Sequence, residues 1–246
     1  MTSRSCLMAT RYWRVIIIIF LLSIKSIEII SLFSANWFYQ SKNSNNWHGG
    51  LFYPNSDSAK YAKTDSYFDI LDKCERNTTS NSLSQDECLV FKNLWISGVT
   101  YGILECGSIL FVTISLAILI LDIFRNIRCV GFSVFSFWMA FILHLAGFWV
   151  WSGLNVLFFS ENCEEMDWDS INASSSVCGE DGTKAALGCL LMFPFAATLH
   201  TFLYWSSKIY SRRKENETSL AVTPEPHQTH EPGSISVCIN NYFEKV

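Results

Sequence analysis

Four long apolar runs, separated by polar segments, organise the chain. They cover residues 13–38, 94–123, 130–159 and 185–205. Each approaches or exceeds the roughly 20 residues that a helix needs to cross bilayer hydrocarbon. The runs are continuous, whereas a membrane barrel needs many alternating segments of ~10 residues. Arg11 and Arg14 precede the first run, which opens Val15-Ile16-Ile17-Ile18-Ile19-Phe20-Leu21-Leu22, so a cleaved signal peptide is the competing reading there. The apolar stretch resumes after Lys25 and Glu28, too long for such a segment, and Phe33-Ser34-Ala35 is a poor cleavage match. An uncleaved span is therefore expected, which leaves polar segments at 1–12, 39–93, 124–129 and 160–184 and a tail, 206–246, expected to be disordered.

The distribution of Lys and Arg predicts the orientation. Arg4, Arg11 and Arg14 precede the first span, Arg125 and Arg128 occupy the short 124–129 connection, and Lys208, Arg212, Arg213 and Lys214 follow the fourth span. These segments are expected in the cytoplasm, with 39–93 and 160–184 outside. Glycosylation sequons at Asn77 and Asn172 fall in the two outer loops. A third, at Asn216, falls in the inner tail and should stay bare.

The cysteines follow the same division. Cys74 and Cys88 lie in the first outer loop, and Cys163 and Cys178 in the second. An even number facing an oxidising space predicts disulfides. Of the three possible connectivities, Cys74–Cys88 and Cys163–Cys178 are favoured, because each closes a short local loop worth roughly 3 kcal/mol in the chain-entropy model. Cys106 and Cys189 fall within spans as small packing residues, whereas Cys6 and Cys129 lie near the cytoplasmic face, where acylation is chemically open.

Polar residues fall near the middle of three of the apolar runs: Lys25 and Glu28 in the first span, Glu105 in the second and His144 in the third. At about 1.5 Å per residue they share one depth to within a helical turn. Charge at the bilayer centre costs ~2.5–3.5 kcal/mol on insertion scales, so these groups need partners. The expected arrangement is structural: Lys25 neutralised by Glu28 or Glu105, with His144 donating a hydrogen bond. The functional alternative is a layer that conducts protons or holds an ion. Pro194 marks an expected kink in the fourth span near that level. Gly98 and Gly102 give the second span a close-packing face, expected to serve within the bundle. Tyr12, Trp13, Trp37, Phe38, Trp95, Tyr204 and Trp205 fit an interfacial aromatic belt.

Composition narrows the function classes. The chain is 50% hydrophobic and 16% charged, with a net charge of -4. That balance supplies no basic field for nucleic acid. Nucleotide loops, zinc signatures, nucleophile elbows and kinase motifs are absent from the sequence. The expectation is a protein that is not an enzyme and takes no cofactor, with the lipid bilayer as its first partner.

A long first outer loop, a very short inner loop, a shorter second outer loop and an inner tail resemble the claudin and peripheral myelin protein superfamily, which includes the calcium-channel gamma subunits. Within the first loop, Trp37 followed by Trp47-His48-Gly49-Gly50-Leu51-Phe52 is similar to the claudin Trp, Gly-Leu-Trp element, with Phe52 in place of the last Trp. Cys74 and Cys88 stand where the family's cysteine pair would be, although farther downstream and more widely spaced. Cys163 and Cys178 have no claudin counterpart.

The resemblance implies an all-α membrane four-helix bundle, left-handed, with a small extracellular antiparallel β-sheet formed mainly by the first outer loop. In that fold the cysteine pair ties two strands together, and Leu51-Phe52-Tyr53 and Tyr67-Phe68-Asp69-Ile70-Leu71 are candidate strands. It also implies a plasma-membrane protein of cell–cell contact, junction or membrane organisation, binding its own kind in the same or an opposing membrane. An accessory subunit of a larger channel or receptor is the alternative, and a small transporter using Lys25, Glu105 and His144 a third. Glu244 and Val246 at the end of the tail fit a strand-addition ligand for a PDZ scaffold.

Overall fold

The computed structural model describes residues 2–42, 45–55, 65–76, 85–125, 129–160, 162–165 and 176–221. Among the described residues, five helices and five strands run in the order α1 (Thr2–Phe33), β1 (Phe38–Lys42), β2 (Asn45–Gly49), β3 (Pro54–Asn55), α2 (Tyr67–Arg76), α3 (Gln85–Arg125), α4 (Val130–Leu154), β4 (Leu157–Phe158), β5 (Val177–Gly179) and α5 (Asp181–Ala221). Four of these helices are long and apolar enough to cross a bilayer, over Tyr12–Phe33, Cys88–Phe124, Val130–Leu154 and Asp181–Arg213. They mark a multi-pass membrane protein. Residues 2–207 belong to one compact unit; the part of α5 from Lys208 to Ala221 belongs to a second, and residues 206–221 are helix rather than irregular tail.

The apolar runs set the spans, but polar neighbours move their ends. Helix α1 stops at Phe33, so Trp37 and Phe38 leave the span and enter the sheet region. Helix α3 begins at Gln85, well before Leu94, because the polar residues ahead of the apolar run continue the helix. Helix α4 ends at Leu154. Asn155 caps it through Nδ2, which donates to the Trp151 carbonyl at 2.8 Å and to Ser97 Oγ at 2.7 Å. The next residue, Val156, has φ 42°, a left-handed conformation that a β-branched side chain rarely adopts.

The sheet differs from the expectation in composition and direction. Its order is β3-β2-β1-β5-β4, so strands from 39–93 and from 160–184 share one sheet with residues that flank the spans. It is mixed: β1 pairs antiparallel with β2 and β5, and β4 pairs parallel with β5. Pro54 sits on the edge strand β3, where a missing N–H costs least. Leu51-Phe52-Tyr53 is a bend, not a strand. Tyr67-Phe68-Asp69-Ile70-Leu71 is helical because Ser66 and Asp69 form a reciprocal capping box. The Ser66 N–H and hydroxyl donate to Asp69 Oδ2 at 2.9 and 2.7 Å, and the Asp69 N–H donates to Ser66 Oγ at 3.2 Å.

The disulfides are Cys74–Cys88 and Cys163–Cys178. Neither ties two strands. The first joins α2 to α3, and the second joins the 162–165 segment to β5.

Trp37 locks the sheet onto the bundle. Its buried indole N–H donates to the Ser31 carbonyl at 2.6 Å, where the end of α1 supplies only a tighter-turn bond from the Ser34 N–H at 3.2 Å. Its ring meets Tyr101 of α3 and Trp151 of α4 edge-on, with centroids 4.8 and 5.1 Å away. Such pairs add about 0.5–1.5 kcal/mol beyond burial. A Cβ at Gly182 would overlap the same ring, so the start of α5 requires glycine there. The Trp37 carbonyl accepts from the Glu180 N–H and from the Thr183 hydroxyl. One residue thus touches α1, α3, α4 and α5.

Candidate functional site

The polar layer forms, but with different partners. Glu28 of α1, Glu105 of α3 and His144 of α4 meet in the bundle, each with 0% of its surface exposed. His144 Nδ1 lies 2.7 Å from Glu105 Oε2 and 4.0 Å from Glu28 Oε1. Ser108 Oγ donates to Glu28 Oε1 at 2.6 Å. His144 Nε2 lies 3.0 Å from the Ala186 carbonyl of α5.

These contacts define the protons. A carbonyl oxygen only accepts, so Nε2 carries a hydrogen. The short Nδ1–Oε2 contact then holds one proton shared between His144 and Glu105, which makes that pair neutral as a unit. Glu28 supplies a further carboxyl whose only described donor is Ser108. Glu28 Oε2 and Glu105 Oε1 are buried with no hydrogen-bond partner among the described residues.

Lys25 acts on Glu28 only at longer range and makes no ion pair with this cluster among the described residues. It is half-buried, and no carboxylate lies within ion-pair distance of it among the described residues. Three helical positions turn the chain by about 300°. Glu28 therefore faces the interior while Lys25 sits at the edge of that face, and His144 takes the place expected of Lys25.

A second polar cluster carries no excess charge. Ser115 and Ser133 hydroxyls are 2.8 Å apart, and Ser133 Oγ lies 3.0 Å from His200 Nε2. Nearby, Arg14 reaches the buried carboxylate of Asp122 at 2.7 Å. Sequence reasoning missed both, although Asp122 is the second-last residue of the 94–123 run and was visible as a charge in need of a partner.

The loop signature residues surround the sheet–bundle junction. A Cβ on Gly98 would overlap the Leu51 carbonyl oxygen, and one on Gly102 would press on the Phe52 ring at 2.8 Å. The small face of α3 thus receives the Leu51-Phe52 bend instead of another helix. Gly50 lies against the end of α1, where an added Cβ would be 3.0 Å from the Ser34 carbonyl oxygen. The Tyr67 hydroxyl sits 2.9 Å from the Gly50 carbonyl and 3.1 Å from that of Tyr53, and its burial pushes its pKa well above the ordinary value, which keeps it a donor. Trp47 is in β2 opposite Gln40; its side chain lies outside the described residues. Asn77, Asn172, Glu244 and Val246 also lie outside them. Cys129 is exposed and Cys189 is buried against the Ile24 carbonyl.

No family model matches this chain, and no curated protein matches its sequence.

Proposed function

We propose that this chain is a claudin-like four-span protein of the plasma membrane, with cytoplasmic termini, acting in cell–cell contact, junction or membrane organisation through its two outer loops. The observation that supports this reading most is the β1–β5 pairing, in which Phe38 and Tyr39 face Gly179 and Cys178. Segments that follow the first span and precede the fourth are hydrogen-bonded into one sheet, further joined by the Gln40 side chain to the Ser176 carbonyl at 2.9 Å and by His48 to Glu180 at 3.2 Å. A head built from both loops in this way would present one continuous protein-binding surface. In this reading Asn77 and Asn172 are glycosylated at its periphery, and Val246 is available to a PDZ scaffold inside.

A second reading, the accessory subunit of a channel or receptor, draws on Lys25. A half-buried cation in mid-span suits an acidic group on a neighbouring membrane helix better than it suits lipid. Purification of the full chain in mild detergent separates the two. A homo-oligomer supports contact through the head; a co-purifying channel lost on Lys25→Met supports the accessory role.

A further inference from the structure

We propose that Glu28, Glu105 and His144 form a binding site for a single divalent metal ion of the zinc class inside the helix bundle. One donor atom from each residue lies within 4.8 Å of the other two, and all three side chains are fully buried. Zinc holds imidazole nitrogen and carboxylate oxygen at about 2.0–2.2 Å, so each donor would draw inward by less than about 1 Å. The orientation of the histidine matches that role. A metal-ligating imidazole donates its other N–H to a carbonyl or carboxylate, and His144 Nε2 is already held by the Ala186 carbonyl at 3.0 Å, leaving Nδ1 toward the two carboxylates.

The charge count points the same way. With His144 neutral, the two carboxylates carry a charge that one divalent cation cancels. The ion takes the position of the proton shared by His144 and Glu105, which leaves to solvent together with any proton on Glu28. The second oxygens of the same carboxylates, Glu28 Oε2 and Glu105 Oε1, are buried with no donor among the described residues, so both groups have room to accept a cation. An imidazole with two carboxylates suits zinc and its transition-metal neighbours, whereas calcium takes 6–8 oxygen ligands. The ligands come from α1, α3 and α4, and the support for His144 from α5, so the ion would tie all four spans at one depth.

The test uses the full-length protein in mild detergent, stripped with a chelator and then equilibrated with ZnCl2. Elemental analysis should find one zinc per chain, and the zinc K-edge spectrum should show nitrogen and oxygen ligands including one imidazole, with no sulfur. Glu105→Gln and His144→Gln should each lose the metal while eluting as a single folded species with both disulfides intact. A His227→Gln/His230→Gln variant should keep it. Wild-type protein that stays metal-free, a spectrum with sulfur ligands, or undiminished zinc in Glu105→Gln would overturn the proposal. If both ligand variants fail to fold, the wild-type stoichiometry and spectrum decide it alone.

Discussion

The sheet end and the middle of the bundle solve the burial of polar groups in opposite ways. At the sheet end, the Trp37 indole N–H, the Gln40 amide N–H and the Tyr67 hydroxyl are buried, and each donates to a backbone carbonyl. In the middle, Glu28 and Glu105 keep carboxylate oxygens with no hydrogen-bond partner among the described residues. In the first, these three donors are met by protein acceptors. The second would be completed by the proposed ion. Hydrogen bonds to neutral acceptors contribute ~0.5–1.5 kcal/mol net, while a buried charge stripped of its partner costs several times that. The two regions should therefore respond to mutation on different scales.

The largest effect is expected at His144. Its removal leaves both carboxylates without their cation, and His144→Ala should lose about 3–5 kcal/mol, read as a lower thermal midpoint and reduced yield. His200→Ala, in the neutral cluster with Ser133 and Ser115, should lose only about 1–3 kcal/mol. Equal losses would erase the distinction between charged and neutral clusters.

Next in size is the second disulfide. Cys163→Ser with Cys178→Ser opens a loop with a sequence separation of 15 and should cost about 3 kcal/mol. The loss should be confined to the sheet, with zinc stoichiometry unchanged. A simultaneous loss of the metal would mean that the two regions are not independent.

The junction between them sharpens the comparison further. Gly98→Ala drives a methyl group into the Leu51 carbonyl oxygen and should cost about 1–3 kcal/mol, measured by denaturation in detergent. Gly153→Ala, with open space around it, should stay within about 0.5 kcal/mol of the parent. If the two behaved alike, the Leu51-Phe52 bend would not be seated on α3.

The smallest effect is a pH dependence in α2. The Ser66 hydroxyl, then the Ser66 N–H, hold the Asp69 carboxylate below its ordinary pKa. A lowered folded-state pKa gives stability that is present above the unfolded value and fades as pH falls through the folded one. Local protection of the α2 amides from hydrogen exchange should fall below about pH 4 and lose that dependence in Asp69→Asn.

The sequence revealed the spans because membrane insertion depends on continuous apolar length, and the runs starting near Val15, Leu94, Val130 and Ala185 all lie on long helices. It misplaced their ends, because polar helix such as Gln85–Asn93 carries no apolar signal and because Trp37 resembles a belt residue when only its neighbours are known. Helix α2 was legible in Ser66-x-x-Asp69, but the aromatic and branched residues at 67–71 outweighed that signal. Depth brought Glu28, Glu105 and His144 together correctly, since 1.5 Å per residue is a reliable ruler in a spanning helix. It could not assign the partner of each, because depth says nothing about the angle around the helix, and Lys25 differs from Glu28 in angle. The pairing of β1 with β5 had no local signal at all; it joins residues far apart in sequence through main-chain bonds.

The most direct test of the account is whether copies of this chain associate through the head. Two differently tagged copies, co-expressed and purified through the first tag in mild detergent, should bring down the second tag. Recovery should drop sharply with Cys163→Ser/Cys178→Ser and hold with Gly153→Ala. A chain that brings down no second copy, and instead carries a larger channel or receptor whether or not the head is intact, would contradict it.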